Sequence, residues 1–262
     1  MNNKVYLQNP YLEDLQGKIL KKHKKDGIYH IILDRTIFHP RYSEFPIMDK
    51  GTIDGFKVID VFEEDGDIVH VVKENISSKD IEMKIDWNIR FEYMQQHTGQ
   101  HILSACINKL CEANTLKFSF DENYSYIIID KINLNDSEIR RIEKLANHMI
   151  YSNFQIESSN KQENGESKRI ISIDDIYTTE CDSIHCSSTG EIGLVKITNY
   201  ISDEDGNIKV NFLCGNRALK DYNSKEELIK KLSNMLSVEQ KNIYEKIERI
   251  LDDNKRLEEL KN

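Results

Sequence analysis

The spacing of apolar residues changes once along this chain, near Arg90, and this change constrains the fold more than any other feature of the sequence. Before Arg90 the apolar residues lie in short runs of β-branched and aromatic side chains, at residues 27–33, 56–62 and 68–72. Such runs are typical of strands, and the pairs Asp54-Gly55 and Asp65-Gly66 favour tight hairpin turns between them. Residues 1–88 are therefore predicted to form a mostly β domain, a small barrel or sandwich.

From Arg90 onward the apolar and small residues recur at steps of three and four, which predicts a long helix that ends near Cys111. A second helix is predicted after Asn135, because Asn135-x-x-Glu138 is a capping-box pair with apolar residues following on one face. Strands are predicted at residues 124–132, 169–173, 193–198 and 208–213. Residues 89–222 are thus predicted to form an α+β domain, with helices on one face of a mainly antiparallel sheet.

The last segment, residues 223–262, is dense in Lys and Glu and contains no Gly or Pro. Its apolar residues stand in heptad-compatible positions, at Ile229, Leu236, Ile243, Ile247, Ile250 and Leu257. This pattern predicts a helical tail. The tail is either a solvated helix laid against the second domain or a coiled-coil arm that forms a homodimer.

The composition describes a polar, folded chain of 262 residues, with 36 Lys and Arg against 45 Asp and Glu. Its 11 Gly and 3 Pro are too few for a collagen-like, linker or Pro-rich sequence. No run approaches about 18 uncharged apolar residues, and the N-terminus lacks the basic-then-apolar order of a signal peptide. We therefore expect a cytoplasmic protein without a membrane span. Five cysteines without a C-x-x-C pair favour reduced thiols or metal ligands over disulfides.

Two histidines, His97 and His101, lie four residues apart within the first predicted helix. On a helix this spacing places both imidazoles on one face, where they can bind one metal ion. The alternative is two ordinary histidines on a helix face. Zinc proteases share this spacing but need a Glu directly after the first His, and Thr98 stands there, so proteolysis is disfavoured.

A second pair of candidate ligands, Cys181-x-x-x-His185, falls in the same predicted domain. One thiolate and three imidazoles are an ordinary set of zinc ligands. We therefore predict a Zn²⁺ site formed by His97, His101, Cys181 and His185. Cys186 is a substitute ligand in this prediction. Burial as a small apolar side chain is the favoured interpretation for Cys186 and also for Cys106, Cys111 and Cys214.

These pairs belong to a longer series of motifs with a specific order. The series reads DRTIFHP at 34–40, IDW at 85–87, MQQHTGQHILS at 94–104, CDSIH at 181–185, STGEIG at 188–193 and CGNRAL at 214–219. It closely resembles the AlaX-type alanyl-tRNA editing proteins, which are free-standing relatives of the editing domain of alanyl-tRNA synthetase. The resemblance runs through most of the chain.

The resemblance implies an N-terminal barrel, an α+β editing domain and a hydrolase that needs no ATP and serves translation fidelity. Such an enzyme cleaves the ester between a wrongly attached amino acid, chiefly serine and in some members glycine, and the terminal adenosine of the alanine tRNA. Mischarged tRNA(Ala) is then the partner and substrate. The Zn²⁺ would position the substrate, polarise its carbonyl or lower the pKa of a bound water.

The chain departs from the family pattern at two places, and both departures remove glycines. Residues 41–46 read RYSEFP where the family has a glycine-rich turn ending in Gln-Pro. Residues 181–185 read CDSIH where the family has Cys-Gly-Gly-Thr-His, so the floor of the metal pocket is expected to be reshaped. The departures favour an alternative function, a non-catalytic relative that keeps zinc for stability and binds tRNA or a protein. A generic zinc hydrolase of small esters is a third hypothesis, which depends only on the ligands.

Three polar residues near the predicted ligands are candidates for substrate contact. Thr98 and Thr115 can supply a fixed partner for the serine hydroxyl, which selects against an amino acid that lacks it, although mere packing is the alternative for both. Gln100, expected to be exposed between the two histidines, is the third candidate. Thr98 and Gln100 are also weak candidates for a catalytic residue.

A tRNA partner requires a local basic surface, because the net charge of the chain is −9. Lysines cluster near the N-terminus, at Lys18, Lys21, Lys22, Lys24 and Lys25. Of these, Lys21, Lys22 and Lys24 are the predicted tRNA contacts. A solvated loop or strand edge is the alternative interpretation of the cluster.

Overall fold

The computed structural model describes residues 3–42, 47–121, 124–131, 133–163, 166–174, 176–203 and 205–260. It divides into two compact units, residues 1–215 and residues 216–262. Strands and helices are mixed along the chain, so the predicted α+β class is confirmed. The predicted domain limits at residues 88 and 222 stay a prediction. Residues 43–46, part of the first departure from the family pattern, lie outside the described residues.

The N-terminal part of the first unit is built mainly from strands. Its elements are β1 (Asn3–Lys4), α1 (Val5–Gln8), β2 (Asp14–Lys25), β3 (Ile28–Leu33), β4 (Arg35–Thr36), β5 (Gly51–Ile53), β6 (Phe56–Glu64), β7 (Asp67–Val72) and β8 (Asp80–Ile85). Six strands pair antiparallel in the cyclic order β2-β3-β7-β6-β5-β8, and the pairing of β8 with β2 closes the barrel. β1 pairs in parallel with β4.

The hairpins of this barrel turn at Asp-Gly pairs. Asp54 and Gly55 have φ angles of 50° and 79°, and Asp65 and Gly66 have φ angles of 51° and 80°. Positive φ at both central residues is the requirement of a type I′ turn, whose twist matches that of the flanking strands. Both turns were predicted from the sequence. Asp26-Gly27 forms a third turn of this kind, between β2 and β3.

The rest of the chain supplies four longer helices and seven strands among the described residues. They are α2 (Trp87–Cys111), β9 (Thr115–Phe120), β10 (Ser125–Ile129), α3 (Asp136–Tyr151), β11 (Ile156–Glu163), β12 (Glu166–Ile173), β13 (Tyr177–Glu180), β14 (Val195–Ser202), β15 (Ile208–Cys214), α4 (Gly215–Leu236) and α5 (Ile243–Glu259). The strands form two antiparallel sheets, ordered β14-β15-β10-β9 and β11-β12-β13. Helices α2 and α3 and strands β10, β12, β14 and β15 were predicted from the sequence, whereas β9, β11 and β13 were not.

Capping side chains define where α2 and α3 begin. The Asp86 carboxylate accepts a hydrogen bond from the Asn88 amide, and Asn135 forms the predicted capping box with Glu138. Each cap satisfies amide groups of the first turn that have no partner within the helix. The start of α3 is therefore determined locally by the sequence.

A buried ion pair joins α2 to the barrel. The Arg90 guanidinium donates to the carboxylate of Asp49 and to the carbonyl oxygens of Pro10 and Ile37, and neither charged side chain is more than 3% exposed. The Asp49 carboxylate also accepts a hydrogen bond from the His39 amide at 2.6 Å. Because each charge has several partners, the pair sets how α2 leaves the barrel.

The C-terminal unit is helical, as predicted, but it is not one helix. α4 ends at Leu236 and α5 begins at Ile243, with Ser237 between them at a φ of 53°. The Val238 amide and carbonyl both hydrogen-bond to Ser233, which closes a turn that the apolar spacing did not predict. The heptad-compatible residues therefore lie on two helices. No described helix is both long and apolar enough to span a membrane.

Candidate metal centre

Helix α2 carries the first two predicted ligands through the interior of the first unit. Its N-terminal side chains Tyr93 and Met94 belong to the barrel core, whereas Ile102 and Leu103 belong to a second core under the four-stranded sheet. His97 and His101 lie between these two sets, and both are buried. Their ring centroids are 4.9 Å apart, so the four-residue spacing brings them to one face as predicted.

The second ligand pair lies in the segment that follows β13. The Cys181 amide donates to the Arg169 carbonyl on the neighbouring strand at 2.9 Å, and the Cys186 amide donates to the Thr98 hydroxyl on α2 at 3.0 Å. These two bonds hold the segment at both ends, on either side of His185.

Ser183 ties the middle of this segment to the barrel and to α2. Its hydroxyl lies 2.9 Å from His39 Nε2 and 2.9 Å from the Tyr93 hydroxyl, and all three side chains are buried. A glycine could not make either bond. The reshaping expected from the CDSIH sequence is thus a three-way hydrogen-bonded contact beside the ligands.

These elements bring all four predicted ligands together. One ligand atom each of His97, His101, Cys181 and His185 lies within 4.8 Å of the others. The His185 ring centroid is 4.4 Å from that of His97 and 5.0 Å from that of His101, and Cys181 Sγ is 3.6 Å from His97 Nε2. The group could hold one metal ion.

The hydrogen bonding of the group fits a metal. Both ring nitrogens of His101 and of His185 are buried and have no hydrogen-bond partner among the described residues. His97 Nδ1 lies 3.2 Å from the Ile184 carbonyl, an orientation that leaves Nε2 directed at the group. Buried polar atoms without partners are costly, and a bound cation would satisfy these nitrogen lone pairs.

Burial also sets the protonation of the ligands. It lowers the pKa of His101 to about 4. Burial, together with the neighbouring histidines, holds the pKa of His97 and of His185 well below the ordinary value. Neutral imidazoles have the lone pair that ligation needs. Burial raises the pKa of the Cys181 thiol to about 11, so metal binding must displace its proton.

Gly99, between the two histidines of α2, is required by packing. A Cβ at this position would lie 2.2 Å from Cys214 Sγ on β15. Only glycine lets α2 approach β15 so closely. The height of both imidazoles above the sheet therefore depends on this contact.

The structure buries the candidate substrate contacts Thr98 and Gln100, and it leaves Thr115 half-buried. The Thr98 hydroxyl accepts the Cys186 amide. The expectation that Gln100 is exposed was wrong, because α2 is enclosed between the two cores and Gln100 is only 3% exposed. Gln100 Nε2 donates to Ser104 Oγ at 2.9 Å, and Ser104 Oγ lies 2.6 Å from the Thr115 hydroxyl. Gln100 Oε1 is buried without a partner among the described residues.

The five cysteines form no disulfide. Cys186 lies outside the ligand group, and burial raises the pKa of its thiol to about 12. Cys106 and Cys214 are also buried, as expected, whereas Cys111 is half-buried.

The lysine cluster lies on strand β2. Lys22 Nζ donates to Asn75 and to the Ile76 carbonyl, and Lys24 Nζ lies 5.3 Å from the Tyr29 ring centroid. Lys21 Nζ lies 3.5 Å from an Asp67 carboxylate oxygen. Because side chains alternate along a strand, Lys22 and Lys24 share a face that Lys21 does not.

Sequence reasoning missed several residues that the structure places around the ligands. His39 and Ser183 were both part of quoted motifs, but 144 positions separate them, and nothing local predicts their contact. Tyr93 and Arg169 carried no motif signal of their own.

The first unit has two β-rich parts that are joined by helix α2. A group of three histidines and one cysteine that could hold a metal ion lies where the two parts meet. No family model matches the chain. The chain is 30% identical to alanyl-tRNA editing protein AlaX-L of Pyrococcus horikoshii, over 246 residues and 85% of its length. It is 28% identical to the alanine–tRNA ligase of Archaeoglobus fulgidus over 98% of its length, and 26% identical to that of Pyrococcus furiosus over 95%.

The resemblance predicted from the motifs is confirmed, since the chain is similar to an alanyl-tRNA editing protein and to two alanine–tRNA ligases. The chain spans 60% of the length of AlaX-L and 31% and 30% of the two ligases.

Proposed function

We propose that this protein is a zinc-dependent hydrolase that deacylates mischarged tRNA(Ala) in trans, in the cytoplasm. Seryl-tRNA(Ala) is the chief substrate in this proposal, and glycyl-tRNA(Ala) is a second one. The observation that carries the proposal is the group of four candidate ligand atoms within 4.8 Å of one another, in a chain that is 30% identical to an alanyl-tRNA editing protein.

Zinc is the metal that this donor set favours. Three neutral imidazoles and one thiolate make a borderline-soft set, which suits zinc better than calcium or magnesium, whose preferred ligands are oxygens. When bound, Zn²⁺ supplies a Lewis acid for the ester carbonyl and lowers the pKa of a bound water towards ~7.

The chain's own residues determine how a substrate reaches these ligands. A cavity of about 590 Å³ borders the ligand segment and is lined by Tyr42, Phe118, Cys181 and Ser183, among others. Cys181 is the one ligand that is half-buried rather than buried. The aminoacyl ester is therefore proposed to enter from the Cys181 side, while the three imidazoles stay enclosed.

Selection of serine is proposed to use polar side chains between and beyond the two histidines of α2. Gln100 Oε1, buried and without a partner among the described residues, can accept a hydrogen bond from a serine hydroxyl. Thr115, linked to Gln100 through Ser104, and Thr98 remain the other proposed contacts. An amino acid without the hydroxyl would leave the buried oxygen unsatisfied, which disfavours alanine.

The partner surfaces are also proposals. Lys21, Lys22 and Lys24 are proposed to contact tRNA phosphates. The C-terminal helices are proposed to form a homodimer, since Ile229, Ile250 and Leu257 each expose more than a third of their surface.

A specific observation supports the non-catalytic alternative. Four protein ligands are the usual number for a closed structural zinc site, whereas catalytic sites keep one position open. The protein would then keep zinc for stability and bind tRNA or a protein.

The test measures zinc content and the release of serine, glycine and alanine from charged tRNA(Ala). We expect about one zinc per chain, release of serine and glycine but not alanine, and loss of zinc and activity in His97→Ala. His148→Ala, at an exposed histidine of α3, is the matched control. Retained zinc without hydrolysis of any charged tRNA would favour the non-catalytic alternative. Hydrolysis of small esters alone would favour the generic esterase.

A further inference from the structure

Arg169 lies on β12 directly across from the metal ligand Cys181. Ile170 pairs with Glu180, and the Arg169 carbonyl accepts the Cys181 amide at 2.9 Å. Residues that face each other across an antiparallel pair point to the same side of the sheet. The Arg169 side chain therefore lies on the side of the sheet that carries Cys181.

Two cavities meet at this arginine. One, of about 160 Å³, is lined by Arg169 together with His185, Cys186 and Tyr11. The other, of about 440 Å³, is lined by Arg169 with Asn160, Ser167 and Asp182. The first reaches a metal ligand, and the second shares Lys4, Leu7 and Asp182 with the cavity that borders Cys181. Arg169 thus lines both a cavity that reaches the candidate ligand His185 and a cavity that adjoins the one beside Cys181.

The positive charge of Arg169 has no carboxylate partner of the kind that two other arginines have. Arg41 pairs with Asp60, and Arg90 pairs with Asp49. Among the residues that the structure describes, Arg169 forms no ion pair and its side chain donates no hydrogen bond, although it is half-buried. Burial lowers its pKa, yet an arginine stays protonated at neutral pH. The nearby carboxylate of Asp182 is exposed and attracts it without pairing.

We propose that Arg169 is a phosphate-binding residue, and that it binds the phosphodiester on the 5′ side of the terminal nucleoside that carries the ester. A guanidinium presents a planar fork of donors that matches two phosphate oxygens. The terminal nucleoside carries its ester on the ribose and its one phosphodiester on the 5′ oxygen of the same ribose. When the ester reaches the ligands, the phosphate on the same ribose must therefore lie beside the metal centre, where Arg169 can bind it. This inference rests on the proposed function.

The test compares two minimal substrates that differ only in the phosphodiester. One is 3′-O-seryl adenosine, and the other is 3′-O-seryl adenosine 5′-(methyl phosphate). We expect kcat/KM of the wild type to favour the phosphate-bearing ester by about tenfold or more, the factor that a charge-assisted hydrogen bond supplies. In Arg169→Gln this ratio should fall to about 1, and Arg169→Lys should keep part of it.

The matched control is Lys168→Gln. Lys168 is the preceding residue of β12, its side chain points to the opposite face, and it pairs with Glu180 at 3.1 Å. The Lys168→Gln substitution removes one positive charge from the same strand. The ratio of kcat/KM between the two esters should stay as in the wild type. Asp182→Asn, which removes a carboxylate from the cavity of about 440 Å³, should raise the ratio.

The outcomes separate this inference from the proposed function. If Arg169→Gln keeps the wild-type ratio, the inference is overturned. If both rates also fall equally and zinc is lost, Arg169 serves the metal centre instead. If the wild type hydrolyses neither ester and releases no serine from charged tRNA(Ala), the proposed function fails. Calorimetric binding of the two 3′-amide analogues then decides the inference alone. A phosphate preference that Arg169→Gln abolishes supports it, and equal binding of both analogues by the wild type overturns it.

Discussion

Gly99 offers a quantitative test of how packing positions the metal centre. In Gly99→Ala, the new Cβ would lie 2.2 Å from Cys214 Sγ, well inside the ~3.5–4.0 Å of an ordinary contact. Overpacking of this kind costs about 1–3 kcal/mol. Alanine is a better helix former than glycine by about 1 kcal/mol, which offsets part of the cost. We expect a net loss of up to about 2 kcal/mol in the free energy of unfolding.

Removal of the opposing sulfur should reverse this loss. In the Gly99→Ala/Cys214→Ala protein, the new methyl would meet Cys214 Cβ at 3.4 Å and Ile192 Cγ2 at 3.5 Å, which are near-ordinary contacts. Cys214→Ala alone should cost about 1 kcal/mol, because it removes one buried heavy atom. In the double variant, the alanine methyl at position 99 fills the space left by the Cys214 sulfur. The higher helix propensity of alanine then adds to the stability. The two changes should therefore couple by about 2 kcal/mol.

Urea unfolding of the four proteins of this cycle measures the coupling, and zinc content measures its effect on the site. Zinc binding should weaken in Gly99→Ala, because both imidazoles move with the helix, and should recover in the double variant. Gly99→Ala combined with Cys106→Ala is the control, since the Cys106 sulfur does not face Gly99. Additive losses in the Cys214 cycle, within about 0.5 kcal/mol, would refute the reasoning.

Two further predictions concern buried ionisable side chains. His70 is fully buried, between the Thr36 hydroxyl and a backbone carbonyl, and burial lowers its pKa from 6.5 to about 4. The unfolded chain then binds the proton more readily, so stability is lost as the pH falls from 6.5 towards 4. At pH 5 unfolding measurements should show about 2 kcal/mol more acid destabilisation in the wild type than in His70→Gln, and equal losses would exclude this role. Arg90→Met should cost about 3–5 kcal/mol in urea unfolding, because it leaves the Asp49 carboxylate buried and unpaired, and adding Asp49→Asn should recover part of that loss. An unchanged stability of Arg90→Met would show that the pair is not needed.

Several parts of the fold could be predicted because their signals are local. The Asp-Gly pairs require only two residues with positive φ, and the capping box at Asn135 requires only a Glu three positions later. The strands that the analysis missed lack such signals. β11 reads IESSNKQE, which is polar along most of its length, and its extended form depends on pairing with β12. The break between α4 and α5 was missed because neither Gly nor Pro marks it.

The sequence alone predicted the four candidate ligands and the resemblance to alanyl-tRNA editing proteins. Two pairs at four-residue spacing indicated one candidate metal group, and the ordered series of motifs indicated the resemblance. Each pair and each motif can be recognised within a short stretch of the chain. The surroundings of this candidate group depend on contacts between residues that lie far apart in the sequence. The tertiary structure buried Gln100, joined Ser183 to His39 and placed Arg169 across from Cys181. Those contacts follow from the packing of α2 between two cores and from strand register, and such long-range packing leaves no periodic signal in the sequence around each residue.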